Sequence, residues 1–517
     1  MKSFGRLCDR VILVINSNYP NRTDDYDKNI EALTLELKEN KWDSEEVLSL
    51  ADNAFQNDVQ LYILFLSAVY LCTMDSAYLV QIENILLKDS LDMSMTTSLL
   101  FQTRYFRFIE GKNDDYPFRR KVYRHIATRF LNKLGASIDM IPYDKRDHEL
   151  VFVVTGQLLD ERHAPSRIVL SICYYLQKYF GYLVQLIVTG EPIDTNATSA
   201  YWSGDIVMPT YMPYWGDQVY RFHDEDIHYY QIDLNSSTKE KILDVIGKLY
   251  IKRPEFILQF GGFPMTDLVW RSMSTFISIP AGNNYDVSDA HLLVSYQKND
   301  ADAEEEEKYI HSLGQETLFI NMQALPLTEN SKEEEYTKKA FGIDPDSFTI
   351  VIAGNRLDDE ITDEFKDVMN RIINENDNVT FVLIGKYELP LPEGIDSHTV
   401  RLGYREDFVQ TVCITDLFLN PKRAGGSGGA LRSMSNGIPV ITLPDCDVSA
   451  FTGEDFVCDS YDEMVSLTHR YITDAEFYTS QSQKARQHFN ERNVGVNMKE
   501  QMQKLVDKAL EIGRTQK

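Results

Sequence analysis

The chain has 517 residues, 43% of them hydrophobic and 25% charged, the composition of a globular protein with room for two or three domains. Its formal charge of −27 argues against a nucleic-acid backbone or an anionic membrane as the main partner. Six cysteines are scattered without CxxC spacing, so buried free thiols in a reducing cytosol are expected.

Near the start, only residues 11–15 are continuously apolar, too few for a secretion signal. Residues 61–74 form the strongest apolar run; it is too short to span a bilayer and is expected to be a buried helix. The expected location is the cytoplasm. Residues 29–136 keep helical spacing with few glycines or prolines, which predicts an all-helical N-terminal domain. No 34-residue helical repeat recurs there.

The pattern then changes. LVFVVT at 150–155 is a β-branched run, 166–180 has helical spacing closed by Gly181, and LVQLIVT at 183–189 is a second strand. That is a βαβ unit and implies a parallel sheet covered by helices. Further strands are expected at 227–232, 256–260, 276–280 and 291–296, with helices at 238–250 and 267–274. The acidic run Glu304 to Glu307 reads as a solvated face or loop, and 324–336 as a linker. A second α/β series follows, with strands at 349–353, 379–384, 400–402, 417–419 and 440–443 and long helices over 475–512.

Residues 416–444, DLFLNPKRAGGSGGALRSMSNGIPVITLP, carry the strongest local signal. They read as strand, glycine loop, a helix to about Asn436 stopped by Gly437, and strand. Gly425, Gly426, Gly428 and Gly429 surround Ser427, letting the backbone turn tightly at a helix N-terminus, where unpaired amides suit a phosphate. Lys422 and Arg423 add positive charge; a tight turn for close packing is the plain alternative. No GK[ST] follows, so this is not a Walker loop.

Other strand ends of the second series carry Asn355 and Arg356, then Lys386, then Tyr404 and Arg405. An ion pair of Arg356 with Asp358 or Asp359 is the alternative to a diphosphate contact. In the first series, His163 precedes Pro165 and Ser166 at a helix start; it suits acid–base work or a phosphate contact, or merely fills the loop, while Ser166 is a candidate cap. Asp267, after Gly261 and Gly262, is a candidate base or an N-cap. No histidine or cysteine spacing fits a metal, and Asp445-Cys446-Asp447 reads as a loop.

Residues 150–512 resemble a GT-B glycosyltransferase, with NPKRAGGSGGALRSMSNGIPVITL carrying most of the likeness. More narrowly, the chain is similar to the O-GlcNAc transferase group, including the bacterial cytoplasmic N-glycosyltransferases of adhesins. That group pairs an all-helical domain with GT-B and has a His-Pro-type loop, which His163-Ala164-Pro165-Ser166 resembles. The resemblance implies an α/β fold with an all-helical domain at 1–145 and two Rossmann-like domains facing a cleft. These are an acceptor domain at 146–330 and a nucleotide-sugar domain at 331–517.

The resemblance further implies a metal-independent, cofactor-free transferase that moves a sugar from a UDP-sugar to a protein or cell-surface glycan. His163 would be catalytic. Asn355, Arg356, Lys386, Tyr404, Gly425, Gly426, Ser427, Gly428, Gly429 and Arg432 would bind the donor. Where the group has a carboxylate for the ribose hydroxyls, this chain has Arg432, which cannot accept a hydrogen bond. Two other readings stay open: an inactive GT-B adaptor in surface-protein glycosylation or export, and an epimerase. Self-association or a second chain as partner is left open as well.

Overall fold

Buried parallel strands have no solvated face, so they appear as unbroken apolar runs, and those runs form the sheets of this protein. The computed structural model describes residues 3–18, 25–88, 90–110, 116–135, 139–161, 163–190, 215–233, 238–261, 264–282, 285–296, 301–320, 336–376, 378–405, 407–423, 425–444, 446–493 and 498–516. It divides into two units. The first contains Met1–Arg107, Asp114–Ile320 and Met502–Lys517; the second contains Phe108–Asn113 and Asn321–Gln501.

The first unit begins with helices Phe4–Asn18, Tyr26–Glu39, Ser44–Phe55, Val59–Thr73, Ser76–Leu86, Met93–Glu110 and Tyr116–Leu134. Asp43, Asp58 and Asp75 cap three of them by accepting backbone N–H bonds from Glu46, Leu61 and Ala77. The apolar helix Val59–Thr73 is buried among the others through Ile63, Phe65, Leu66 and Val69. Among the described residues no helix is long and apolar enough to cross a membrane. Helix Phe4–Asn18 extends the helical region beyond its expected start: Leu7, Val11 and Val14 form a stripe at helical spacing that joins the same core.

The sheet of this unit has strands β1 (Asp147–Thr155), β2 (Leu183–Val188), β3 (Gly216–Phe222), β4 (Glu225–Gln231), β5 (Pro254–Phe260), β6 (Thr275–Ile279), β7 (Leu292–Ser295) and β8 (Glu316–Phe319). Their order is β3-β4-β2-β1-β5-β6-β7-β8, parallel except for the β3–β4 hairpin. β3 and β8 were not expected. GDQVYRF and ETLF alternate or are short, as edge strands are, and lack the apolar run that marks the centre. The glutamates at 304–307 lie on helix Ala301–Ser312 rather than in a loop.

Helix Tyr116–Leu134 belongs to two cores. Val122 and Ile126 pack with the helical region, whereas Tyr123, Phe130 and Leu134 pack with Phe152 and Phe276 of the sheet and Trp270 of helix Pro264–Met273. Ion pairs to buried Asp289 reinforce the join: buried Arg120 reaches it at 2.5 Å and half-exposed Arg124 at 3.2 Å. The last helix, Met498–Thr515, also returns to this unit: Lys508 pairs with Glu316, and Gln516 bonds Arg146 and Thr275 at 2.8 and 2.9 Å. The expected 331–517 domain therefore ends earlier than the chain.

The second unit has β9 (Phe348–Gly354), β10 (Val379–Gly385), β11 (Thr399–Gly403), β12 (Leu417–Leu419) and β13 (Val440–Ile441), all parallel, in the order β11-β10-β9-β12-β13. Alternate residues of β9 face opposite layers: Ile350 and Ile352 pack with Phe365, Phe381 and Met464, and Val351 packs with Phe418, Met434 and Val440. Asp416 locks β12 to β9 by accepting Thr349 N–H at 2.8 Å and Lys338 at 2.8 Å. Because β10 and β12 lie on opposite sides of β9, strand order reverses between β9 and β12, the place where such sheets bind ligands.

Gly385 closes β10 with φ +125°, directly against the Gly354 carbonyl oxygen of β9, where no Cβ fits. Gly385→Ala is expected to lower stability by about 2 kcal/mol or more, read as a lower urea midpoint.

Candidate nucleotide-sugar site

The loops after β9 and β12 meet at this switch point through one buried ion cluster. Arg423 (7% exposed) sends Nη1 to Glu360 Oε2 at 2.8 Å and Nε to Asn420 Oδ1 at 2.8 Å. Asn420 is itself held by Thr442 Oγ1 at 2.9 Å. Arg356 reaches the other oxygen of Glu360 at 3.2 Å. The partner of Arg356 is therefore Glu360, one helical turn away, rather than Asp358 or Asp359.

This cluster explains two glycines. A Cβ at Gly354 would collide with the Arg423 and Glu360 side chains, and one at Gly426 would lie 2.6 Å from Arg423 Nε. Gly425 and Gly426 both have positive φ, +80° and +85°, which turns the chain into helix Ser427–Ser435. Gly428 differs: a Cβ there would meet nothing within 4 Å, so the first helical turn has open space on that side. Gly429 makes only ordinary contacts, with Phe418 and Phe408. Gly437, φ +77°, stops the helix, and Ile438 N–H returns to Ser433 at 3.1 Å.

Among the described residues, Arg423 Nη2 is buried without a hydrogen-bond partner, and it lies 2.9 Å from a Cβ built on Gly426. An orphaned guanidinium nitrogen beneath a helix N-terminus makes the loop electropositive from below. Around it, Asn355 is exposed after β9. Lys386 follows Gly385, whose register partner is Gly354, and is exposed beside Glu388 at 3.7 Å. Tyr404, exposed after β11, lies near Arg432, whose guanidinium is held below its usual value by burial, against a smaller opposing effect of Tyr404. Lys422 is exposed, so of the adjacent cations only Arg423 enters the cluster.

His163 belongs to the first unit, at the N-cap of helix Ala164–Phe180. Its Nδ1 lies 2.8 Å from Ser166 Oγ, which accepts Leu159 N–H at 2.8 Å. Ser166 is thus a buried brace and not a cap. Directing the serine proton at Nδ1 puts the ring proton on Nε2, an assignment made from this network, and makes His163 a donor rather than a base. Burial lowers its pKa, Asp160 opposes and Arg167 assists, which favours the neutral ring.

Asp267 is neither a base at a strand end nor an N-cap. It is fully buried one turn into helix Pro264–Met273, bonded by Tyr123, Ser288 (2.5 Å) and Gln259 (2.7 Å). Gly262, Phe263 and Asp445 lie outside the described residues. All six cysteines are free, and Cys413 is exposed rather than buried.

The sheet order and this site can be set beside known structures. Over the full length of both chains, the protein superposes on a mutant O-GlcNAc transferase from Thermobaculum terrenum with a TM-score of 0.53 and 12% identity. The fold is GT-B. Also similar are a trehalose-6-phosphate structure from E. coli bound with UDP-2-fluoro glucose and an alpha,alpha-trehalose 6-phosphate synthase from Burkholderia multivorans. They score 0.48 each at 9% and 8% identity, over 70% and 71% of this chain and 99% of theirs. No protein-family model and no curated protein matches the chain.

Two outcomes follow. Glu360→Gln leaves Arg423 buried without its carboxylate and should cost about 3 kcal/mol or more in urea unfolding. Burial, with a smaller push from Asp289, raises the Asp267 pKa to about 7 against the opposing bonds of Ser288, Tyr123 and Gln259. A raised carboxylate pKa contributes stability below its unfolded value and loses it as pH rises through the folded one. The stability of Asp267→Asn relative to wild type should therefore improve between pH 4 and 7 and level off above; a flat difference across that range contradicts this.

Proposed function

We propose that the protein is a sugar transferase that takes a UDP-sugar, without metal or other cofactor, and glycosylates a protein or cell-surface glycan. One observation carries this reading: a glycine-led helix N-terminus at the switch point of a GT-B sheet, backed by the orphaned nitrogen of buried Arg423. Amides of the first helical turn receive the diphosphate, chiefly those of Ser427 and Gly428, since Gly429 N–H already bonds the Gly426 carbonyl at 3.1 Å. Charge that develops on the leaving diphosphate is stabilised there by donors already in position. Tyr404 and Asn355 flank the donor; in the first unit, His163 has Nε2–H to offer an acceptor. The full-length match to an O-GlcNAc transferase fold supports the class of reaction.

A second reading, an inactive GT-B adaptor in glycosylation or export, is favoured by a different observation. Glu360 already occupies Arg356 and Arg423, and Lys386 is exposed beside Glu388. Thermal unfolding with UDP, GDP, UDP-glucose and UDP-GlcNAc, joined to a UDP-release assay, separates the two. A ligand at about 100 times its Kd adds roughly 2.7 kcal/mol. The transferase reading expects a UDP-specific shift, lost in Gly428→Val because the valine fills the open space, and UDP release when acceptor is added. No shift with any nucleotide selects the adaptor; conversion of the UDP-sugar into an isomeric UDP-sugar without acceptor points to an epimerase, and UDP release without acceptor to hydrolysis.

A further inference from the structure

The cations at this edge of the second unit are in unequal states. Arg356 and Arg423 share Glu360, and Lys386 stands exposed near Glu388. Arg432 is half-buried, and among the described residues its guanidinium has neither an ion pair nor a hydrogen bond. A guanidinium partly withdrawn from water and left without a carboxylate is under-compensated, and an anionic ligand would supply what is missing.

Position decides which anion. Arg432 follows Gly428 by four residues, so the two share one face of helix Ser427–Ser435, a turn apart. Side chains on a helix lean back towards its N-terminus, which carries this guanidinium towards the first turn. Over that turn the space at Gly428 is open to 4 Å. Below it, the unpartnered Nη2 of Arg423, a residue 7% exposed, adds a second positive group from the protein side. An oxyanion over Gly428 would lie between helix amides and Arg432.

We propose that Arg432 is the principal cationic contact for the ligand's diphosphate, a role that falls to neither Arg356 nor Lys386. This deepens the donor reading and rests on it. It also accounts for the missing carboxylate on this helix: the position grips phosphate rather than ribose, and selectivity comes from the anionic part of the ligand.

Calorimetric titration with inorganic pyrophosphate, UDP and uridine tests this on wild type, Arg432→Gln, Arg432→Lys and Arg356→Gln. Arg432→Gln should weaken pyrophosphate and UDP about tenfold or more, while any uridine binding is unchanged and Arg432→Lys recovers part of the loss. Without ligand, the Arg432→Gln Tm should match or exceed wild type, since no carboxylate is orphaned. A merely structural arginine would instead lower it, and that result overturns the proposal. So does wild-type affinity in Arg432→Gln, or a larger loss in Arg356→Gln. UDP binding that ignores Arg432 sinks this inference and leaves the donor reading standing. Arg432-dependent pyrophosphate binding without UDP binding supports the inference and sinks the donor reading. Binding of neither overturns both.

Discussion

A guanidinium removed from water needs compensating acceptors, and in the second unit Arg423 finds them in Glu360 and Asn420, an arrangement that shapes the C-terminal edge of the sheet. Arg423 follows β12 and Glu360 follows β9, so their 2.8 Å ion pair ties together the two sides of the switch point. Gly354 and Gly426 are glycines because the Arg423–Glu360 pair fills the space a Cβ would take. Gly385 is a glycine because the Gly354 carbonyl does the same. Much of the glycine richness thus serves protein packing, and the proposed ligand contact narrows to the turn at Ser427 and Gly428.

The first unit applies the same logic on a larger scale. Helix Tyr116–Leu134 presents apolar residues to two cores, and between them sends Arg120, Arg124 and Tyr123 to Asp289 and Asp267. Paired buried charges are weak evidence of net stability, but they are costly to separate. They make the helical region part of the sheet's cover rather than an appended module. Raised pKa values at Asp267, about 7, and Asp286, about 6, both led by burial, are the electrostatic cost of that arrangement.

What the sequence made legible follows from what local pattern can encode. Central parallel strands such as FTIVIAG and PEFILQF are apolar on both faces and could be placed within a residue or two. The edge strand GDQVYRF and the acid-rich helix Ala301–Ser312 have half-solvated patterns that resemble loops. Glycine, cation and strand end could be read together, and these residues follow β9, β10, β11 and β12 in the structure. Pair choice could not. Lys422 and Arg423 are adjacent cations, yet one is exposed and the other nearly sealed, which depends on how the loop turns over Glu360.

Local charge also explains how an acidic protein can present an anion site. Salt screens a net charge of −27 over roughly 8 Å, so distant carboxylates matter little to a ligand in contact with the loop. Within the Glu360 cluster itself, two guanidiniums against one carboxylate leave a single positive charge, spread over Arg356 and Arg423. The helix N-terminus adds roughly half a charge, and Arg432 a whole one. Of the three guanidiniums, Arg432 is the one with neither an ion pair nor a hydrogen bond among the described residues, Tyr404 being its charge neighbour. Glu360 therefore does more than stabilise the loop. By holding Arg356 and Arg423 to itself, it leaves Arg432 as the guanidinium open to the proposed ligand.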